Sequence, residues 1–473
     1  MKRRPAALNP DLAASLNNLS NHLSHLGRRE EALAAIQEAV KIGRQLAKHR
    51  LATYKPGLAT SLNNLSNRLS DLSRREDALA AIQEAVEIRR HLAMDHPAAF
   101  NPDLAMSLHN LSNCLAGLGD LEGALTAIQE AVTIRQELSR HCPTAFNPNL
   151  ASSLSNLSLY LGNLGHQVSS LRAIREAVRI LQRLARKRPA VFNADLSRSL
   201  HNFSDCLFKL GYLERALVAI QDALTICRQL AENYPAAFNP DLAGFLHSLS
   251  ILFSKMGRQS DALTAIQEAV TISQHLAKDC PAAFNPDLAS FLHSLSIRLS
   301  DLGHRERALA AIQEAIQIRR QLVMDCPAAF TPQLASSIHI LSDCLSDVSC
   351  REDALAAIQE AVDIRRQLAR HRPSAFNSDL ASSFHNLSTC LTDLGHREDA
   401  LEAIQEAVQI HRQLAAQRPR VFKPKLANSL RTFSYCLSHL DRHEDASAAS
   451  EEAAEIDRVP EPSSQRDRKP DPL

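Results

Sequence analysis

The chain of 473 residues carries 53 basic and 52 acidic side chains, for a formal net charge of +1. That balance excludes general attraction to nucleic acid or to an anionic membrane, and the absence of Trp weakens a base-stacking role further. No apolar run approaches the roughly 20 residues needed to cross a bilayer, and no h-region follows the basic start Met1-Lys2-Arg3-Arg4-Pro5, so a cytoplasmic protein is expected.

Residues 1–8 read as a short basic lead-in. From Asn9 onward one pattern returns ten times, starting near residues 10, 56, 102, 148, 194, 240, 286, 332, 378 and 424, at a constant period of 46 and with no insertion. Self-similarity at such a period marks a solenoid, whose units bury their apolar faces only against their neighbours. The expectation is an all-α architecture, an α-α superhelical solenoid of ten 46-residue helical hairpins over 9–458. It replaces the roughly three domains that length alone suggests.

In the first repeat Asn9 reads as an N-cap, Pro10 as the first helical residue and Asp11 as an acid at the positive helix end. Leu12, Leu16, Leu19, Leu23 and Leu26 follow at steps of three and four, which predicts an amphipathic helix A. Gly27 supplies the turn, and Glu30-Glu31 open a helix B with apolar positions at Leu33, Ile36, Ala39, Val40, Ile42 and Leu46. A short connector is expected next, carrying Tyr54 and then Phe100, Phe146, Phe192, Phe238, Phe284, Phe330, Phe376 and Phe422 as anchors onto the stack. The fourth repeat departs most, with Arg172, Arg175, Arg179 and Arg183 on one face of helix B. This face is read as the solvent side and is the sole hint of an acidic or RNA partner. In the tenth repeat Ser447 and Ser450 replace apolar residues, as a capping helix requires. Residues 459–473, rich in Pro and charge, are expected to be a disordered tail.

Ten Cys fall mostly into shared repeat phases: Cys114, Cys206, Cys344, Cys390 and Cys436 in one, Cys142, Cys280 and Cys326 in another. Stacked hairpins hold such residues on the order of 10 Å apart, beyond the reach of a disulfide. Buried or half-buried reduced thiols are therefore expected, with no metal and no cofactor. No phosphate-binding Gly-Lys dipeptide, His-Glu-x-x-His or Gly-x-Ser-x-Gly occurs. No catalytic residue is assigned, and the chain is read as a non-enzyme.

Leu16, Leu19, Ser20, Leu23 and Gly27, with Ala32, Ile36 and Ala39, resemble the tetratricopeptide repeat family. Ser20 and its equivalents stand where the family places a small residue at the helix crossing. The Asn-Pro-Asp-Leu-Ala and Leu-Asn-Asn-Leu-Ser runs look most like the extended repeats of kinesin light chains. The resemblance implies a non-catalytic scaffold that binds a protein or extended peptide in a concave groove lined by helix A. On this reading Asn17, Asn18 and Asn21, then Asn63, Asn64 and Asn67, then His109, Asn110 and Asn113 face the groove. Asn156, His201, Asn202, His247, His293, His385 and Asn386 continue it. Amide side chains offer a donor and an acceptor to a peptide backbone. Phe245, Phe291, Ile251 and Ile297 would form an apolar middle, and Asp301, Asp347 and Asp393 an acidic end. Alternative roles are a kinesin-light-chain-like cargo adaptor, or the sensor arm of a signalling ATPase or protease. Self-association end to end through a bare N-terminal face is a further expectation.

Overall fold

The computed structural model describes residues 10–49 and 51–458. The expected lead-in, the Asn9 cap and the expected tail lie outside the described residues. Every described element is a helix. The A-type helices are α1 Pro10–His25, α3 Leu51–Asp71, α5 Pro97–Gly117, α7 Pro143–Asn163, α9 Pro189–Lys209, α11 Pro235–Lys255, α13 Pro281–Asp301, α15 Pro327–Asp347, α17 Pro373–Asp393 and α19 Pro419–Ser438. The B-type helices are α2 Arg29–His49, α4 Arg75–Asp95, α6 Leu121–His141, α8 Gln167–Lys187, α10 Leu213–Asn233, α12 Gln259–Asp279, α14 Arg305–Asp325, α16 Arg351–His371, α18 Arg397–Gln417 and α20 His443–Arg458. The chain packs as two compact units that divide after Ser248, inside α11.

Within the first unit, α2 packs against both α1 and α3, and the same alternation runs on to α9 and α10. The second unit repeats it from α12 to α20. Ile36, Ile82, Ile128, Ile174 and Ile220 in the first unit, and Ile266, Ile312, Ile358 and Ile404 in the second, are all 0% exposed. Each contributes about 2–3 kcal/mol of burial. Where helix A crosses helix B, a buried serine hydroxyl donates to a B-helix carbonyl: Ser20 to Ala32, Ser204 to Ala216, Ser250 to Ala262 and Ser342 to Ala354, at 2.7–2.8 Å. A small side chain at the crossing thus also satisfies its own polar atom.

The hairpin turn follows from a left-handed residue. Gly27 has φ 75°, the amide of Arg28 reaches back to the carbonyl of Leu23, and that of Gly27 to Ser24. These are the paired bonds of a helix end closed by an αL residue. Ser73, Ser349 and Asp441 occupy the same position with φ near 60°, a conformation that costs a residue with a Cβ about 1–2 kcal/mol.

One expectation is corrected. Helix A does not begin at the Asn-Pro-Asp segment; it begins five residues earlier, at Pro97 and its equivalents, and Pro102 lies inside α5. The residue before a proline is driven out of the α region. His96, at φ −138° and ψ 72°, therefore breaks the chain between α4 and α5 by itself, and Pro97 fits the first helical position. Pro102 has no N–H for the carbonyl of Ala98, but Ala98 is exposed and that carbonyl can bond water. No connector remains. Phe100 and its equivalents sit in the first turns of helix A, half-buried, and Phe100, Phe376 and Phe422 pack against the core.

Candidate functional site

The expected groove residues divide into two sets. Asn17 and its equivalents every 46 residues form a ladder between successive A helices. In the first unit the Asn17 amide donates to Ser61 Oγ at 2.7 Å, and Asn17 Oδ1 accepts from Asn64 at 3.2 Å. Asn63, only 3% exposed, accepts from Ser107 Oγ and from the Asn110 amide. His109 Nδ1 lies 3.1 Å from Ser153 Oγ, Asn156 donates to Asn113 Oδ1 at 2.8 Å, and His201 Nε2 lies 2.8 Å from Ser248 Oγ. In the second unit His293 and His339 meet Ser337 and Ser383 at 3.1 and 3.2 Å, and Asn386 donates to Asp343 at 2.8 Å. The expectation that Asn17, Asn63, His109, His201, His293 and their equivalents face a ligand is corrected. They are half-buried or buried, and their polar atoms join neighbouring repeats.

The second set stays open. Asn18 and Asn113 are exposed and Asn21 and Asn67 half-exposed, and Asn18, Asn21 and Asn67 make no side-chain hydrogen bond among the described residues. Asn202, His247 and His385 are half-buried, whereas Asp347 and Asp393 are exposed. Asp301 pairs with Arg298 at 2.8 Å. Phe245 and Phe291 are 4% and 6% exposed, so they belong to the core and do not line an apolar middle; Ile251 is exposed and Ile297 half-buried. Helix A turns these Phe positions toward helix B, a direction that polarity alone does not give.

Beneath the ladder lies a series that the sequence reading missed. Arg89, Arg135, Arg319 and Arg365 point from helix B into the junction between two A helices and are 2–6% exposed. No carboxylate side chain holds them by a salt bridge. Arg89 Nη1 donates to the carbonyl of Asp103 at 2.9 Å and to Ser107 Oγ at 2.5 Å, and Nη2 reaches Thr60 Oγ1 at 3.4 Å. Arg135 donates to the Asn149 carbonyl at 2.8 Å and to Ser153 Oγ, Arg319 to the Gln333 carbonyl at 2.7 Å and to Ser337 Oγ, and Arg365 to the Asp379 carbonyl at 2.9 Å and to Ser383 Oγ. Burial lowers the guanidinium pKa of Arg135 and Arg319 to about 10. It also lowers His109 and His339 to about 4, helped by Arg135 beside the first and Arg365 beside the second. Arg135 Nη1 lies 3.4 Å from His109 Nδ1, so that nitrogen is an acceptor and the ring is neutral.

Two junctions lack the arginine and hold open cavities. At the first, Gly43 takes its place in a cavity of about 300 Å³ lined by Asn17, Asn18, Leu46, Tyr54, Leu58 and Ser61, among others. At the other, His411 takes its place in a cavity of about 350 Å³ that also holds His385, Asn386, Lys425 and Asn428. His411 is 3% exposed, its Nδ1 lies 2.9 Å from Ser429 Oγ, and its Nε2 has no partner. Burial, then Lys425 and His385, lowers it to about 4.

Elsewhere, Arg172, Arg179 and Arg183 are exposed and Arg175 is half-buried, on the face where Arg44–Glu84 and Arg90–Glu130 link successive B helices of the first unit. Such exposed pairs are worth under about 1 kcal/mol each. All ten Cys are free. Cys206, Cys227, Cys344, Cys390 and Cys436 are buried and Cys114 half-buried, but Cys142, Cys280, Cys326 and Cys350 are exposed. The expectation of burial is corrected there, because three of these four occupy the extended break before Pro and the fourth the hairpin turn. Among the described residues no three His, Cys, Asp or Glu side chains gather as a metal site, and no helix is long and apolar enough to cross a membrane.

A tetratricopeptide repeat model matches residues 12–49, 58–98, 104–139, 288–323 and 380–415, and a second matches 205–237. A model of anaphase-promoting complex subunit 5 matches 139–187, 239–280 and 338–376. No curated protein sequence matches the chain. Among solved structures, the apo form of RapI is 13% identical with a TM-score of 0.56, covering 86% of this chain and 99% of its own, a likeness of fold. BtubC (BKLC) from P. vanneervenii is 19% identical, covering 52% of this chain and 92% of its own at a TM-score of 0.43. A Podosopora anserina putative kinesin light chain with TPR-like repeats is 17% identical, covering 48% and 98% at 0.37.

Proposed function

Because the chain belongs to the tetratricopeptide repeat family, a group of protein-interaction scaffolds, we propose that it binds an extended peptide segment of a protein partner along the outer edge of its A helices. The observation that carries this reading is the set of uncommitted amides, Asn18, Asn21 and Asn67, beside an inter-repeat ladder whose own groups are satisfied. A ladder that needs no outside partner holds its neighbours rigidly, and preorganised donors bind with less ordering cost. Each free amide offers a donor and an acceptor to a peptide backbone without regard to sequence. The exposed Asp347 and Asp393 add preference for basic residues where the peptide passes the later repeats.

Peptides selected from a displayed random library, then titrated by fluorescence anisotropy, test the reading. A combined Asn18→Ala, Asn21→Ala, Asn67→Ala variant is expected to bind on the order of tenfold or more weakly, at about 1 kcal/mol per lost hydrogen bond, with its melting temperature unchanged. Equal affinity in the two proteins contradicts it.

A further inference from the structure

The junction between a B helix and the next A helix is filled by two residues eighteen apart, and their sizes compensate. Arg89 meets Ser107, Arg135 meets Ser153, Arg319 meets Ser337 and Arg365 meets Ser383. Leu181 has Ser199 at the same spacing, both buried. Where the first residue shrinks to Cys227 or Ser273, the second grows to Phe245 or Phe291, and all four are buried. His411 keeps Ser429 and bonds to it, which leaves that junction partly occupied. Gly43 and Ser61 stand apart: both members are small, and the space stays open as the cavity of about 300 Å³. Leu58 leans into it, with its Cδ1 3.2 Å from where a Gly43 Cβ would stand.

The acceptors that hold an arginine elsewhere are still present at this junction. Gly57 is the equivalent of Asp103, Asn149 and Gln333, whose carbonyls accept from Arg89, Arg135 and Arg319. Ser61 is the equivalent of Ser107. It donates to the Gly57 carbonyl at 3.1 Å and accepts from Asn17 at 2.7 Å, so both oxygens retain a lone pair. A carboxylate is not required, since the Asn149 and Gln333 junctions hold buried guanidinium groups through carbonyl and hydroxyl oxygens. The walls of Ala13, Leu46 and Leu58 suit a long aliphatic stem. The mouth opens beside the exposed Asn18.

We propose that the cavity at Gly43 receives an arginine side chain of the bound peptide, its guanidinium on the Gly57 carbonyl and Ser61 hydroxyl and its stem against Leu46 and Leu58. This specificity rests on the peptide-binding reading above, and it makes the first junction the position that selects sequence while the free amides hold the backbone.

Saturation-transfer NMR on the full chain tests it, with acetyl-Gly-Arg-Gly-amide as the probe and its norleucine counterpart as the control. The arginine probe is expected to bind on the order of tenfold tighter than the norleucine probe, the worth of one charge-assisted hydrogen bond. Gly43→Arg, which places in the cavity the side chain found at four other junctions, is expected to abolish the signal and to raise the melting temperature. Gly43→Leu, which copies the Leu181 junction, is expected to abolish it as well, and serves if the first variant folds poorly. Equal saturation of the two probes, or an arginine signal that survives both substitutions, overturns the proposal. A library-selected peptide that still binds Gly43→Arg but fails to bind the Asn18, Asn21, Asn67 variant removes the arginine socket and leaves the groove reading standing.

Discussion

Substituting His109 by Asn, the residue found at the equivalent Asn17 and Asn63, keeps a polar partner for Ser153 and removes one titration. In the fold, burial and then Arg135 hold the imidazole down to about 4, whereas in the unfolded chain it titrates near 6.5. A folded pKa below the unfolded one means that the unfolded state takes up the proton first as the pH falls. Stability from the neutral ring is therefore complete above 6.5, is lost progressively below it, and stops falling beneath about 4. Between pH 7 and pH 5 this amounts to about 2 kcal/mol, close to 1.5 pKa units at 1.36 kcal/mol each. Guanidinium denaturation of wild type and His109→Asn at both pH values isolates the quantity, because every other titrating group is common to the two proteins. The wild type is expected to lose about 2 kcal/mol more than the variant over that range. Equal losses would mean that the folded ring takes up its proton as readily as the unfolded one, and that Arg135 does not face Nδ1 as a donor.

Three other outcomes follow from the packing. Arg319→Leu is expected to cost under about 1.5 kcal/mol, since Leu181 already fills this position, whereas Arg319→Gly opens a second cavity and costs about 3 kcal/mol or more; urea denaturation separates them, and equal costs would dissolve the size-compensation argument. Ser349→Gly is expected to stabilise by about 1 kcal/mol because it relieves a left-handed serine, and a calorimetric midpoint that does not rise contradicts this. A thiol reagent under native conditions is expected to label Cys142, Cys280, Cys326 and Cys350 and to spare Cys206, Cys227 and Cys436 until denaturant is added; early labelling of the second group, read by peptide mass mapping, would show junctions that open readily.

The helical core was legible because each of its signals is local. Leu62, Ile82 and Ser66 lie where steps of three and four within one helix place them, and all are fully buried. The helix start was legible but misjudged. The proline represented by Pro97 recurs at every later joint, through Pro419, whereas the Pro102 position holds Ala194 and Ser378 in two repeats; the more constant proline is the one that begins the helix. Asn63 could not be told from Asn64 by pattern, because the rotation of one A helix against the next decides which amide is enclosed. The buried arginines were hidden for a related reason: on helix B they read as basic residues near a C-terminal end, and only the neighbouring helix turns them into filling. One signal did exist. Ser becomes Phe at positions 245 and 291 in the two repeats that follow Cys227 and Ser273, a pairing visible only when residues eighteen apart are compared across joints.

The one-residue breaks at His96, Cys142 and Arg188 in the first unit, and at Cys280, Cys326, Arg372 and Arg418 in the second, leave no slack in the backbone. Adding or removing one residue inside a helix swings everything beyond it by about 100° around the axis, and no loop is long enough to absorb that swing. Length in this chain is therefore quantised. Recombination that adds or deletes a whole repeat restores every pairing at the seam, while a change of one or two residues ruins the seam where it occurs. Such an array can vary its reach in steps of a full repeat, and its ten nearly interchangeable segments supply the sequence identity that unequal exchange requires.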